Sequence, residues 1–249
     1  MGNADPDVFT KALGTATYGM GIDIPSEVLD MFCEYRKLLL KANEVMNLTA
    51  IIDDEGMAVK HFGDSLTCLL APGGKRYDSL VDIGTGAGFP GLVLHMVNPS
   101  SRALLIDSVG KKVQFIKDVC TELGLHNVEA VHARAEDLAR SVQYRERFDL
   151  AVARGVSALA PLSEYCLPFV RTGGWFIAMK GPRVEEELEQ GARASALLGG
   201  GNPEILAVNL PGDLGERRLV SIRKERATPS RYPRKPGSAR RDPLGSHPG

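Results

Sequence analysis

A glycine-rich stretch at residues 82–91, DIGTGAGFPG, carries the clearest chemical signal in the sequence. It continues an apolar run, SLVDI, that predicts a short buried strand. Glycines let the backbone approach a ligand closely, and the first N–H groups of a following helix are unpaired. The stretch therefore predicts a ligand-binding loop at the edge of a sheet where doubly wound folds bind their ligands.

Two ligand classes fit this glycine loop. Gly86, Gly88 and Gly91 have the spacing of a dinucleotide fingerprint, which would make the protein an NAD-linked oxidoreductase. Gly84, Gly86 and Gly88 after Asp82 have instead the form of loops that bind S-adenosylmethionine. A carboxylate at Asp82 attracts the ammonium group of that cofactor and would repel a pyrophosphate. We therefore expect S-adenosyl-L-methionine as the cofactor, bound around Asp82, Gly84 and Gly86.

Acidic residues follow the next two predicted strands. Asp107 suits a ribose diol in either cofactor, so it does not discriminate between them, and it could instead serve as a turn or capping acid. Ala135 and Glu136 follow the third strand, where the carboxylate can accept a hydrogen bond from an adenine amino group. The alternative for Glu136 is that it favours a helix N-terminus.

Arg154 is placed at the end of the predicted fourth strand, beside the expected ligand. A guanidinium can pair bidentately with the cofactor carboxylate or with an RNA phosphate, and a surface salt bridge is the alternative. His61, with Asp64 three residues later, is either a structural histidine or, together with Asn47, part of a wall beside the cofactor.

No general acid, general base or covalent nucleophile is predicted. Residues 153–156 read ARGV, where enzymes that methylate an exocyclic amine typically have an Asn/Asp-Pro-Pro-aromatic run. Cys166 falls in the middle of the helix predicted to follow the fourth strand, through about Val170, and has no basic neighbour, so we expect it in the core rather than acting as a nucleophile. The four cysteines form no CxxC pair or Cys/His cluster, and no metal is expected.

Strands and helices, which must position these residues, are predicted to alternate along residues 77–225. Apolar runs and breakers predict strands at 79–83, 103–106, 128–132, 148–153 and 175–179, a turn at 171–174, and a closing hairpin of 205–210 with 218–222. Helical periodicity between them predicts helices at 89–97, 111–123 and 184–198. This alternation predicts an α/β fold with a doubly wound, mainly parallel sheet covered by helices on both faces.

Two flanking parts differ from this domain. Residues 1–76 predict a helical extension, with helices beginning near Ser26 and spanning 54–70, and with an irregular stretch at 1–24. Residues 226–249 contain five prolines and no periodicity, which predicts a disordered tail. From residue 223 onward the chain has eight Lys/Arg and two acids. Such a tail suits RNA phosphates, with candidate contacts at Arg231, Tyr232, Arg234 and Lys235.

The composition excludes several classes of protein. The chain has 249 residues, of which 43% are hydrophobic and 24% charged, as in ordinary globular proteins. It contains no apolar run of the roughly 18 residues that a membrane span needs, and its first residues do not resemble a signal peptide. We therefore expect a cytoplasmic protein that does not associate with membranes and that is a monomer.

The motifs together resemble one known family. The matching blocks, in chain order, are residues 47–51, 60–66, 82–91, 107–108 with 111–112, 134–137, 153–156, 173–174 with 180–181, and 232–237. In this order they are similar to the bacterial ribosomal RNA small subunit methyltransferase G family, also called the glucose-inhibited division protein B family. The resemblance covers about residues 26 to 245.

The resemblance implies a class I S-adenosylmethionine-dependent methyltransferase with a helical N-terminal extension. The implied acceptor is N7 of a guanine in 16S ribosomal RNA, either free or within the 30S particle. Carried over by position, the cofactor contacts would be Gly84, Phe89, Ala135, Glu136 and Arg154. Two alternatives remain at this point: the NAD-linked oxidoreductase, and a ribosome-assembly protein that binds RNA without catalysis.

Overall fold

The helical extension forms much as the periodicity predicts. The computed structural model describes residues 6–210 and 215–246. The extension contains α1 (Pro6–Gly19), α2 (Ser26–Met46), α3 (Asp54–Met57), a π-helical segment (Ala58–Gly63), α4 (Asp64–Leu66) and a 3-10 segment (Thr67–Leu70). The last four follow one another without a break, so the helix predicted over 54–70 is present but changes its winding.

The prediction of an irregular stretch at 1–24 is wrong for α1. The helix buries Phe9 and Leu13 completely. Phe9 meets Phe62 edge to face, with ring centroids 5.1 Å apart. Tertiary packing thus stabilises a helix whose Gly and Thr content disfavours it locally. Residues 1–5 of the predicted stretch lie outside the described residues.

A seven-stranded sheet forms the centre of the protein. Its strands are β1 (Ser79–Ile83), β2 (Arg102–Asp107), β3 (Val128–His132), β4 (Phe148–Arg154), β5 (Val170–Lys180), β6 (Glu204–Asn209) and β7 (Glu216–Arg223). They lie in the order β3-β2-β1-β4-β5-β7-β6. The first five are parallel, and β7 pairs antiparallel with both β5 and β6.

Helices connect the strands and cover both faces of the sheet. They are α5 (Gly91–Val97), α6 (Gly110–Glu122), α7 (Ala135–Leu138), α8 (Leu159–Cys166) with a 3-10 segment (Leu167–Phe169), a second 3-10 segment (Val184–Glu187) before α9 (Leu188–Leu197), and α10 (Ser238–Arg241). The predicted α/β fold is therefore confirmed. None of the helices in the described ranges has the length and apolar character needed to cross a membrane.

The turn predicted at residues 171–174 is instead part of a strand. β5 begins at Val170, and its pairing with β4 shifts in register between Phe148 and Leu150. Gly173 has a φ of +87°, and its N–H donates to the Lys224 carbonyl. Gly173 and Gly174 therefore lie in an irregular part of β5 and do not form a turn before the strand.

Two apolar clusters lie on opposite sides of the sheet. One joins the extension to α5 and α6 and includes Phe62, Phe89 and Phe115. The other packs α8 and the parts of the chain around it against the sheet, and it includes Cys166, as expected, and Tyr232. The extension is thus continuous with the core of the sheet domain and does not pack as a separate unit.

The C-terminal segment, residues 226–246, is ordered, so the prediction of a disordered tail is wrong over these residues. Tyr232 is 7% exposed, and its backbone carbonyl accepts a hydrogen bond from Arg145 at 2.9 Å. The Lys224 ammonium is fully buried and donates to the Leu167 carbonyl and the Thr228 hydroxyl, each at 2.6 Å. Its prolines and lack of periodicity suggested disorder. Composition cannot show the ordering contacts, because most of them come from residues far away in the sequence.

Candidate cofactor and active site

The glycine loop crosses the carboxyl ends of β1 and β2. The N–H groups of Gly84 and Thr85 both donate to the Ile106 carbonyl, at 2.8 and 3.1 Å. Gly84 and Gly86 have φ values of +72° and +62°, which L side chains rarely adopt. A Cβ at Gly86 would meet nothing within 4 Å, so the backbone at this residue faces open space. The loop therefore offers the close backbone approach that its sequence predicts.

Asp82 is placed differently from its expected role. It is fully buried, lines neither of the cavities described below, and its Oδ2 accepts a hydrogen bond from the Gly91 N–H at 2.8 Å. Burial raises its pKa to about 6, against the Thr85 hydroxyl and Gly91 amide, which lower it. Asp82 therefore ties the loop to the start of α5. The direct contact with a cofactor ammonium group expected from the sequence does not fit this burial.

Asp107 shapes the other side of the loop. Its Oδ2 accepts from the Gly86 N–H and its Oδ1 from the Val109 N–H, both at 2.9 Å. It is 6% exposed and lines a cavity. A carboxylate oxygen has two lone pairs, so each can accept a second hydrogen bond from a hydroxyl group. Asp107 can therefore hold the loop and contact a ribose at the same time.

A cavity of about 570 Å³, the large cavity, opens beyond Asp107. Its walls come from the ends of β1, β2 and β4, from α7 and from the C-terminal segment, and they include Gly84, Asp107, Ala135, Glu136, Gly155, Tyr165, Pro236 and Gly237. Glu136 is 6% exposed, and its Oε1 accepts a hydrogen bond from the Gly237 N–H at 3.1 Å. The acids predicted after β2 and β3 are thus brought to one cavity.

A second cavity of about 230 Å³, the small cavity, lies between the glycine loop and the extension. It shares Gly84, Lys112 and Gly155 with the large cavity. His61 and Phe89 line it, with their rings stacked at a centroid distance of 4.8 Å. Burial and the Arg154 charge lower the pKa of His61 to about 4, so the ring is neutral at pH 7. His61 therefore belongs to the wall beside the glycine loop, whereas Leu48 and Thr49 line the cavity where Asn47 was expected.

Arg154 lines the small cavity, and its guanidinium donates hydrogen bonds to residues of the extension. Its Nη1 donates to Asp64 Oδ2 at 2.9 Å and to the Lys60 carbonyl at 3.0 Å. Asp64 is only 2% exposed, and its Oδ1 accepts from Arg217 Nε at 2.8 Å. The guanidinium carbon of Arg154 lies 5.4 Å from the centre of the Phe89 ring. One carboxylate thus holds two cations beside the cavity. The salt bridge of Arg154 is made to a buried carboxylate and not at the surface, as the alternative had it, and the predicted pairing of Arg154 with a ligand stays a prediction.

The four candidate RNA contacts fall into two groups. Arg231 and Lys235 are exposed and remain predictions. Tyr232 is buried, which disagrees with its expected stacking on an unpaired base. The side chain of Arg234 is engaged by Glu164 and Asp242, which disagrees with its expected phosphate contact. Both residues have structural partners that the sequence pattern did not reveal.

Three residues of the site were missed from sequence. The Tyr35 ring stacks on Phe89 with centroids 5.3 Å apart, and its hydroxyl donates to the Ala87 carbonyl within the loop. Arg217 reaches Asp64 from β7, and Glu164 reaches Arg234 from α8. The helical spacing of Phe32, Tyr35 and Leu39 signals burial but does not show which loop the buried face contacts.

The fold and these two cavities define a class I methyltransferase domain, in which β7 is antiparallel and lies between β5 and β6. The solved structure of an S-adenosylmethionine-dependent O-methyltransferase from Thermotoga maritima has this fold. It matches with a TM-score of 0.50 at 16% identity, over 76% of this chain and 71% of that one.

The chain belongs to the rRNA small subunit methyltransferase G family, which matches residues 29–213. A ribosomal RNA small subunit methyltransferase G from Pelotomaculum thermopropionicum is 46% identical over 95% of this chain and 99% of its own. One from Exiguobacterium sibiricum is 43% identical over 93% of this chain and 97% of its own. The family resemblance found in the sequence and the prediction of a methyltransferase are confirmed.

Proposed function

We propose that this protein transfers the methyl group of S-adenosyl-L-methionine to N7 of a guanine in 16S ribosomal RNA. Membership of the rRNA small subunit methyltransferase G family is the observation that carries this proposal. The arrangement of the glycine loop, with a cavity on each side of Gly84, supports it. A ribosomal substrate also implies that the enzyme works in the cytoplasm.

The two cavities fit the two ends of the cofactor. Asp107, Ala135 and Glu136 would hold the nucleoside end of the cofactor in the large cavity. The backbone of Gly84 and Gly86 would lie close to the middle of the cofactor. In the small cavity, Arg154 would pair with the cofactor carboxylate beside Phe89. When bound, the cofactor supplies an electrophilic methyl group on a sulfonium sulfur.

The reaction needs no base from the protein. Guanine N7 carries an in-plane lone pair and no proton, so the new bond to carbon forms as the sulfur–carbon bond breaks and its electron pair returns to sulfur. Positive charge moves onto the base. The protein must therefore align the reactants and tolerate that charge. A neutral His61 adds no positive charge near the acceptor, and Asp64 offsets part of the Arg154 charge.

The test is a methyl-transfer assay with labelled cofactor. We expect label in N7-methylguanosine when the protein is incubated with 30S particles or 16S rRNA from cells that lack this gene. Nucleoside mass spectrometry identifies the modified position. Label in another nucleoside would overturn the N7 assignment. Tight NAD binding without any response to S-adenosylmethionine would favour the oxidoreductase instead, and RNA binding without transfer would favour the assembly protein.

A further inference from the structure

The C-terminal segment forms one wall of the large cavity. Pro236, Gly237 and Arg240 line it opposite the ends of the strands. The Gly237 N–H donates to Glu136, which itself lines the cavity. Gly237 has a φ of +82°, and α10 begins directly after it, with Ala239 2% exposed. We call residues 234–240 the strap.

A single buried carboxylate holds the strap at its start. Glu164 on α8 is fully buried. Its Oε1 accepts from the Arg234 backbone N–H at 2.7 Å and from Arg234 Nε at 3.0 Å, and its Oε2 accepts from Arg234 Nη2 at 2.7 Å. Arg234 also contacts Asp242 beyond the strap. A buried carboxylate is costly without a cation, so this bidentate pair strongly favours one position of Arg234.

Separate contacts hold the residues that precede the strap. Arg145 donates to the carbonyls of Thr228 and Tyr232 at 2.7 and 2.9 Å, and Thr228 also contacts Lys224. None of these contacts involves Arg234 or Glu164. Loss of the Arg234–Glu164 side-chain pair would therefore loosen the start of the strap, while the Gly237–Glu136 contact and buried Ala239 would still hold its later part and residues 228–232 would stay in place.

We propose that Arg234 is a positioning residue of the cofactor site, which, through Glu164, holds the strap as a wall of the large cavity and so increases cofactor affinity. The inference rests on the proposed function, because it takes the ligand of this cavity to be S-adenosylmethionine. Arg234 acts through the strap and through the Gly237 contact to Glu136, and it does not touch the cofactor itself.

Calorimetry with S-adenosylmethionine tests this role directly. We expect Arg234→Gln to raise the dissociation constant by about tenfold, because the strap would no longer be held as a wall of the cavity. In the methyl-transfer assay, KM for the cofactor should rise while kcat stays close to that of the unmodified protein. The matched control is Arg241→Gln, which removes an exposed charge from α10 outside the strap. It should leave cofactor affinity unchanged.

A second variant covers loss of folding in the first. If Arg234→Gln unfolds because Glu164 is left without a cation, the double variant Glu164→Gln, Arg234→Gln removes the buried charge and is measured instead. Weaker cofactor binding by the folded single or double variant supports the inference. Unchanged cofactor affinity in the folded variant, or an equal loss of cofactor affinity in Arg241→Gln, overturns the inference. If the unmodified protein does not bind S-adenosylmethionine, the proposed function itself fails, which is a different result.

Discussion

The glycine loop and the C-terminal segment line the same large cavity but are held in different ways. The loop is held partly by its own groups, since Gly91 donates to Asp82 and Gly88 donates to Thr85, and partly by contacts from Tyr35, Ile106 and Asp107 outside it. The C-terminal segment is held by side chains 70 to 101 positions away in the sequence, namely Glu164 and Glu136. A loop whose own glycines set its conformation can be recognised from a short motif, whereas a segment held mainly by distant side chains resembles a disordered tail until the fold is known.

The difference also changes what each region contributes. The loop supplies backbone groups and open space to the ligand, and its glycines are needed for their conformation. The C-terminal segment supplies a wall and adds Tyr232 to the core. A substitution of a loop glycine should therefore affect cofactor binding first, while truncation of the core residue Tyr232 in the segment should affect stability first.

The largest expected effect is that of Gly84→Asp. A Cβ at Gly84 would lie 2.6 Å from a Val156 methyl group, and the φ of +72° is unfavourable for an L residue. We expect cofactor binding to be abolished in calorimetry. Gly124→Asp is the matched control, because Gly124 has a φ of +62° but open space around it. It should cost about 1 kcal/mol of unfolding free energy from backbone strain and leave binding intact. Normal cofactor affinity in Gly84→Asp would contradict the assigned site.

The second effect is that of Tyr232→Ala in the C-terminal segment. Because the ring is packed in the core, its loss should lower the free energy of unfolding by about 3 kcal/mol, measured by chemical denaturation. Tyr232→Phe keeps the packed ring and should stay close to the unmodified protein. Unchanged stability together with weaker RNA binding by Tyr232→Ala would restore the original idea of a stacking platform.

A pH dependence should follow from His61 beside the loop. Its pKa falls from 6.5 to about 4 on folding, so the unfolded chain binds more protons between these values. Stability from this group is therefore complete above about pH 6.5 and is lost as the pH falls toward 4. The pKa of Asp82 is raised from 3.8 to about 6, which has the opposite sign in an overlapping window.

The two contributions can be separated with His61→Gln, which keeps Asp82. Relative to this variant, the unmodified protein should lose about 2 kcal/mol of unfolding free energy between pH 8 and pH 5. The same pH profile in both proteins would show that folding does not lower the pKa of His61.

The smallest effect is expected for Lys235→Gln on the exposed side of the strap. Removing one phosphate contact should weaken RNA binding modestly and reduce the slope of log affinity against log salt by about 0.7 to 0.9. Lys41→Gln, an exposed cation on α2, is the control. An identical salt slope for Lys235→Gln and the unmodified protein would remove Lys235 from the RNA surface.

The residue pattern was sufficient to predict the alternating elements and the glycine loop at the carboxyl edge of the sheet. Five parallel strands with intervening helices, the loop after β1, and the acids after β2 and β3 all follow from apolar periodicity and glycine spacing. These features are local, because the carboxyl ends of parallel strands meet at one edge whatever the details of packing.

Only the tertiary structure decided the burial of Asp82, the joint hold of Asp64 on Arg154 and Arg217, and the place of the C-terminal segment. Each depends on side chains that are distant in sequence and that meet because of strand order. Arg217 reaches Asp64 across 153 positions. Periodicity reports which residues are buried, but a buried charge acquires its partner from the folded arrangement of the whole chain.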